Sequence, residues 1–209
     1  MLIQKIEKSP AAKIEEQLCQ VAAAREALAQ ERFGNGVTVW RGQIEGAGEV
    51  RSVLPATAYG SRETASLYAM HANYRSLARA GDEPFVMPAV LRPKRIFATA
   101  TPDDADPFVD LDVIAACFGR DAAERMAREL AGHIQDTNAF EEISAETGID
   151  DPAEMVRLWP GSIERLPCVL MHEALRLEWF TDALRDAGYD AVLTKISFHK
   201  PLPSRCIGG

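Results

Sequence analysis

Residues 37–42 read VTVWRG, a run of branched and aromatic residues that leads straight into an arginine and a glycine. Val37 to Trp40 predict a short β-strand, because β-branched and aromatic side chains suit a pleated, half-buried surface. Arg41 follows at the predicted strand end, where a guanidinium suits bidentate capture of a phosphate. Gly42 would let such a ligand approach the backbone. A surface salt bridge is the alternative role for Arg41.

The next informative stretch, residues 56–69, reads ATAYGSRETASLYA. It predicts a strand-like entry and then a helix over 62–79 that Ser61 caps. Thr57 and Tyr59 would then lie beside the strand that carries the arginine. Tyr59 could stack on a flat ring, as aromatic faces do in ligand pockets, and ordinary packing is the open alternative for both residues.

The rest of the chain predicts an α+β protein with a few short strands at both ends and a helical block between them. We expect one domain over 1–209. Its predicted parts are an N-terminal helix within 1–33 that starts at Ser9-Pro10, a sheet core over 37–100 and 188–209, and a helical insertion over 101–187.

Prolines and glycines set the finer boundaries of this prediction. Pro84 to Ala98 predict a strand, and the proline within it argues for a sheet edge or a bend. Gly119 predicts a break between two helices, and one long helix is expected over 167–187 with Gly188 just past its end. Residues 189–193 predict a strand, and Cys206-Ile207 a weaker one.

The composition is that of an acidic globular protein, with 209 residues, 47% of them hydrophobic, and a formal net charge of −8. A net negative chain repels polyanions, so neither general nucleic-acid binding nor binding to an anionic membrane is expected. The four cysteines are scattered without metal-ligand spacing, which predicts no metal site and a reducing cytoplasm as the location. The chain has no P-loop, no GxGxxG after a strand, no HExxH and no GxSxG.

Four segments together resemble the bacterial and phage ADP-ribosyltransferase-like superfamily: VTVWRG, ATAYGSRETASLYA, VMPAVLRPKRIFA and LRDAGYDAVL. The resemblance covers residues 37–98 and 176–207. It implies a small, split and bent β-sheet whose cleft holds NAD as the substrate. It also implies transfer of ADP-ribose to a macromolecule of a host or competitor. The expected location is the cytoplasm, including the host cytoplasm after delivery or infection.

The same resemblance assigns roles to individual residues. Arg41, with Gly42 beside it, would hold the NAD diphosphate or ribose. Thr57 would line the nicotinamide-ribose side, Tyr59 would stack on nicotinamide, and Ser61 would complete the NAD-binding set.

The sequence departs from the family pattern in its last strands. The family carries a glutamate there, which stabilises positive charge on the sugar, but residues 191–209 contain no Asp or Glu. His199 and Glu178 are the candidate catalytic substitutes, with Glu173 and Asp190 as further carboxylates. A solvated helix face is the alternative for Glu178.

Two other functions stay open from the sequence. A catalytically inactive relative could act by binding a protein partner through the acidic helical block. A 2′-phosphate transfer from RNA onto NAD would use arginine and histidine without the glutamate, but it calls for a basic face, whereas this chain is acidic overall.

Overall fold

The computed structural model describes residues 9–44, 56–70, 83–103, 106–194 and 197–201. The helices of this part are α1 (Pro10–Phe33), α2 (Arg62–Met70), α3 (Leu111–Phe118), α4 (Arg120–Glu129), α5 (Ala131–Gln135), α6 (Asn138–Thr147), α7 (Pro152–Leu158), α8 (Met171–Ala174) and α9 (Glu178–Asp186). The strands are β1 (Val37–Ile44), β2 (Ala56–Gly60), β3 (Pro84–Leu91), β4 (Ile96–Ala98), β5 (Phe108–Asp110), β6 (Cys168–Leu170), β7 (Ala191–Thr194) and β8 (Ser197–Pro201). The predicted α+β class is confirmed, since helices occur together with small sheets of mainly antiparallel strands.

The chain divides into two compact units. The sheet unit consists of Arg25–Pro107 and Leu175–Gly209, and the helical unit consists of Met1–Ala24 and Phe108–Ala174. Helix α1 contributes its first part to the helical unit and its last part to the sheet unit. It begins as predicted, because the Ser9 hydroxyl accepts the Ala12 N–H at 3.2 Å and proline suits the first helical position.

The sheet unit is built on six strands in the order β3-β1-β2-β8-β7-β4. Neighbouring strands are antiparallel except β4 and β7, which are parallel. One face of the sheet holds an apolar core formed with the end of α1. The buried residues of this core are Ala29, Val39, Ile96, Ala98, Ala191 and Leu193.

Strand β1 is longer than the sequence predicted. The strand was expected to end before Arg41, but it continues to Ile44, and Arg41 pairs with Met87 of β3 in its middle. The predicted strand end was wrong because β1 lies between two partner strands, and an eight-residue ladder with β3 overrides the weak strand propensity of Arg41-Gly42.

The segment over 84–98 forms two strands, β3 and β4, at opposite edges of the same sheet. The prediction of an edge strand there is confirmed, since β3 carries Pro84 and Pro88 and pairs only with β1 among the described strands. The prediction for Cys206-Ile207, and the part of the predicted helix 62–79 beyond Met70, lie outside the described residues.

The helical unit packs short helices around a small two-stranded sheet of β5 and β6. The expected break at Gly119 is confirmed, with φ of 91° between α3 and α4. The prediction of one long helix over 167–187 was wrong. Residues of this stretch form β6, α8 and α9 instead, because Cys168–Leu170 pair with Phe108–Asp110 and are drawn into that sheet.

The two units differ in charge. The helical unit carries 17 acidic and 8 basic side chains, a net charge of −9, whereas the sheet unit carries 14 and 15, a net charge of +1. The excess of negative over positive side chains therefore belongs to the helical unit. Within the described ranges, no helix combines the length and the apolar character that crossing a bilayer requires.

Candidate functional site

Arg41 and Tyr59 lie on the neighbouring strands β1 and β2. The strand register pairs Trp40 with Gly60, which sets Arg41 across from Tyr59. The Arg41 guanidinium carbon lies 6.0 Å from the centroid of the Tyr59 ring, within the range of a cation–π contact. The structure thus brings together two of the residues that the sequence singled out, a cation and an aromatic ring that share one face of the sheet.

This pair lies at the border of the apolar core of the sheet unit. Val39, two residues before Arg41 on the same face, is buried, and Tyr59 packs partly against the core cluster. Arg41 and Tyr59 are themselves only half-buried. A guanidinium at the rim of an apolar surface keeps its donors free to meet a ligand while its stem packs on carbon.

Gly42 serves close packing of a helix. A Cβ atom built at Gly42 would lie 1.9 Å from the Ala65 carbonyl oxygen and 2.8 Å from the Ala69 nitrogen, both in the backbone of α2. Because consecutive residues of a strand point to opposite faces, Gly42 faces α2 while Arg41 faces the core side. The absence of a side chain at position 42 is explained by α2, whose Ala65 and Ala69 are buried against the sheet.

Ser61 caps α2 as predicted. Its hydroxyl accepts the Thr64 N–H at 3.1 Å, which satisfies one of the free donors at a helix N-terminus. The Glu63 carboxylate is stabilised by a hydrogen bond from its own backbone and by the Ser61 hydroxyl, and these hold its pKa below the usual range. The Ser61 hydroxyl is therefore engaged in the helix cap.

A second arginine–aromatic contact lies next to the first. The Arg62 guanidinium carbon is 5.6 Å from the centroid of the Trp40 ring. Trp40 precedes Arg41 in β1 and so belongs to the opposite face of the sheet, the face that α2 covers. Arg62 thus provides an arginine of similar local chemistry outside the Arg41–Tyr59 pair.

Two further candidates, Thr57 and His199, lie on the neighbouring strands β2 and β8. Thr57 and His199 are described for their backbone only. Thr57 lies in β2 opposite Lys200, and His199 lies in β8 between Ala58 and Val192. The β2–β8 pairing places His199 on the strand next to the one that carries Tyr59.

The candidate carboxylates have other surroundings. Glu178 is exposed at the first position of α9, and its carboxylate makes no hydrogen bond or ion pair with another described residue. Asp190 accepts the backbone N–H groups of Lys94 and Arg95, each at 3.0 Å, and so fixes the entry to β4. Glu173 lies in the helical unit, 3.6 Å from a nitrogen of His133.

One ionisable residue escaped the sequence analysis. Asp112, in the first turn of α3, is buried, and burial raises the pKa of its carboxyl to about 6. In the sequence it stands in LDVIAACF, where nothing distinguishes it from an exposed helical aspartate. Only its position in the packed helical unit reveals that it is buried.

Two further observations concern a cleft and the grouping of metal-ligand side chains. A shallow cleft of about 390 Å³ in the sheet unit is lined by Leu28, Glu31, Arg32, Thr101, Pro102 and Asp103, and Arg41 is not among them. In the part of the chain that the structure describes, no three side chains of His, Cys, Asp or Glu come together in a way that could hold a metal ion.

Comparisons with protein-family models, with curated proteins and with solved structures found no match for this chain.

Proposed function

We propose that this protein binds NAD on its sheet unit and transfers ADP-ribose from it to a macromolecule, as the resemblance to ADP-ribosyltransferases implies. The observation that carries this proposal is the Arg41–Tyr59 pair on adjacent strands, with the guanidinium 6.0 Å from the ring centroid. A diphosphate and an aromatic base are the two chemical groups of NAD that such a pair can recognise.

Arg41 contacts the diphosphate in this proposal. A guanidinium offers parallel N–H donors to two phosphate oxygens and carries a positive charge that attracts them. The sheet unit has a net charge of +1, whereas the helical unit has −9. This charge distribution supports an anionic ligand on the sheet unit.

Tyr59 supplies an aromatic face beside that cation. Offset stacking of a ring on tyrosine contributes about 0.5–1.5 kcal/mol beyond the burial of area. The Tyr59 ring already packs partly on the apolar core, so little side-chain freedom remains to be lost when a ligand binds.

The transfer breaks the bond between C1′ of the nicotinamide ribose and the nicotinamide nitrogen, and nicotinamide leaves with the electron pair. A nucleophile of the target then forms a bond to C1′ and releases a proton. A carboxylate lowers the barrier by stabilising the positive charge that develops on the sugar. Glu178 is the carboxylate and His199 the proton acceptor that we assign to these steps.

Calorimetric titration with NAD tests the proposal on the wild-type chain and on two single variants. Arg41→Ala removes a charge-assisted contact, which is typically worth about 1.5–3 kcal/mol, so we expect NAD affinity to fall about tenfold to a hundredfold. Arg62→Ala is the matched control, because it removes a neighbouring arginine that also lies over an aromatic ring, and it should leave the affinity within about twofold.

Two outcomes contradict the proposal at different steps. A folded wild-type protein that gives no heat with NAD refutes nucleotide binding itself. NAD binding without time-dependent release of nicotinamide refutes transfer. Nicotinamide release that stays unchanged in both Glu178→Gln and His199→Ala instead refutes the roles that we assign to these two residues.

The second candidate is a non-catalytic protein of this fold that binds a protein partner. It is favoured by the absence of Asp and Glu after Asp190 and by the −9 charge of the helical unit, which would suit a basic partner surface. A partner that binds in the absence of NAD, with an affinity that falls as salt is raised, would distinguish this function from the first.

A further inference from the structure

A buried carboxyl group that the proposed nucleotide site does not use lies in the helical unit. Asp112 of α3 is only 9% exposed. Its Oδ2 accepts the Leu166 backbone N–H at 3.0 Å, whereas its Oδ1 is buried with no hydrogen-bond partner in the described part of the chain. Ionisation is costly in such a place, because one oxygen would carry charge with neither water nor a donor beside it.

The partner of Asp112 belongs to the latch segment, which we define as residues 163–167 and which leads into β6. Ile163 and Leu166 of this segment are buried. The Leu111 N–H also donates to the Pro167 carbonyl at 3.0 Å. Two hydrogen bonds therefore fasten the latch segment to the start of α3, and one of them depends on the Asp112 side chain.

We propose that Asp112 is a proton-controlled latch, whose neutral carboxyl keeps the latch segment closed on α3 and whose ionisation loosens it. In the neutral group Oδ2 keeps its acceptor contact with the Leu166 N–H and Oδ1 carries the proton. Burying that O–H without an acceptor costs less free energy than burying a charge there. The ionised group needs donors at both oxygens, and water can supply them only when the latch segment opens.

The charged and titratable groups around Asp112 do not compensate its charge. Asp110 of β5 repels it, and Cys168 of β6 lies opposite Asp110 in the two-stranded sheet. Glu164 and Arg165 of the latch segment are exposed, and Arg165 pairs with carboxylates of α6. Helix α4 packs on α3 and has Ala123, Met126 and Ala127 as its buried residues, and the Cys19 thiol of α1 lies 3.5 Å from the Ala116 carbonyl oxygen of α3.

The direction of the pH dependence follows from this environment. Burial and the charge of Asp110 raise the pKa of Asp112 to about 6, while the Leu166 hydrogen bond opposes the rise. Once the latch segment opens and water reaches the carboxyl, its pKa returns toward the ordinary value of 3.8. The closed state thus binds the proton more tightly, so its stability is highest at low pH and is lost as pH rises through about 6.

Amide hydrogen exchange of the full chain at pH 5.0 and pH 7.5, corrected for the intrinsic exchange rate, tests this latch. Protection of the Leu166 amide should fall about tenfold between the two pH values, as the difference between pKa values of about 6 and 3.8 requires. Asp112→Asn should abolish this dependence, because asparagine keeps the acceptor but cannot ionise. Asp121→Asn, which changes an exposed carboxylate in the first turn of α4, should keep the tenfold change.

Equal protection of wild type at both pH values would overturn the latch, and so would a tenfold change that persists in Asp112→Asn. Where Asp112→Asn does not fold, carbon NMR of the wild-type carboxyl groups decides instead. A carboxyl that titrates near pH 6 in the folded chain supports the latch, and titration of every carboxyl below pH 5 overturns it. Neither result depends on NAD.

Discussion

At the scale of single residues, Gly42 is a position where the backbone of a packed helix leaves no room for a side chain. Gly42→Ala would place a Cβ atom 1.9 Å from the Ala65 carbonyl oxygen, so α2 would have to move away from β1. We expect the free energy of unfolding to fall by about 3 kcal/mol, as overpacking against a rigid backbone does. Urea denaturation followed by circular dichroism measures this loss.

Gly132→Ala is the matched control for Gly42. A Cβ atom at Gly132 of α5 meets no atom within 4 Å, and alanine is the better helix former by about 1 kcal/mol. This variant should therefore be as stable as wild type or slightly more so. Equal losses in the two variants would refute the role that we assign to the contact between Gly42 and α2.

Residue identities predicted part of the candidate site. The neighbouring positions of Arg41 and Tyr59 follow from two short strands separated by a plausible connection, and the cap at Ser61 follows from local rules. The helix that faces Gly42 and the burial of Asp112 depend on contacts between residues far apart in sequence, and no local pattern carries that information.

At the scale of elements, Arg95 connects α1 to β4 and the end of α9. Its guanidinium donates to the Glu26 carboxylate of α1 at 2.6 Å and 3.1 Å, and also to the Ala187 carbonyl. The guanidinium carbon lies 4.2 Å from the centroid of the Tyr189 ring. Three elements thus meet at one guanidinium, whose several N–H donors lie in a single plane.

Arg95→Ala should lower the free energy of unfolding by about 2 kcal/mol, because it removes a cation–π contact and a bidentate pair that is partly exposed and so partly screened. Arg92→Ala, three residues earlier and exposed, should change it by less than about 0.5 kcal/mol. Thermal denaturation compares the two variants. A loss for Arg95→Ala no larger than that for Arg92→Ala would show that the cluster around Arg95 does not stabilise the sheet unit.

The elements themselves were predicted unevenly. Helices with clear stop signals, such as α3 ending at Gly119, were found, because glycine with positive φ ends a helix locally. The strands β5, β6 and β8 were missed. β5 and β6 have only three residues each, and SFHKP of β8 mixes polar, basic and proline residues, so all three depend on their partner strands.

At the scale of the whole molecule, each unit has buried apolar residues of its own. Gly42→Ala should lower hydrogen-exchange protection in the sheet unit, and Ile134→Ala, a cavity at a fully buried position of α5, should lower it in the helical unit. Exchange measured by mass spectrometry in moderate urea follows both units at once. Equal loss of protection throughout the chain in both variants would show that residues 1–209 unfold as the single domain expected from the sequence.

The two prolines of β3 have a consequence for self-association. Pro84 and Pro88 lie four residues apart in a strand at the margin of the sheet, and neither carries an N–H. Exposed edge strands are common starting points for aggregation. A second chain that paired with β3 would find two backbone hydrogen-bond donors missing, because proline has no N–H. Replacing both prolines with threonine should therefore increase self-association of the protein, because threonine supplies the missing N–H groups and also favours a strand.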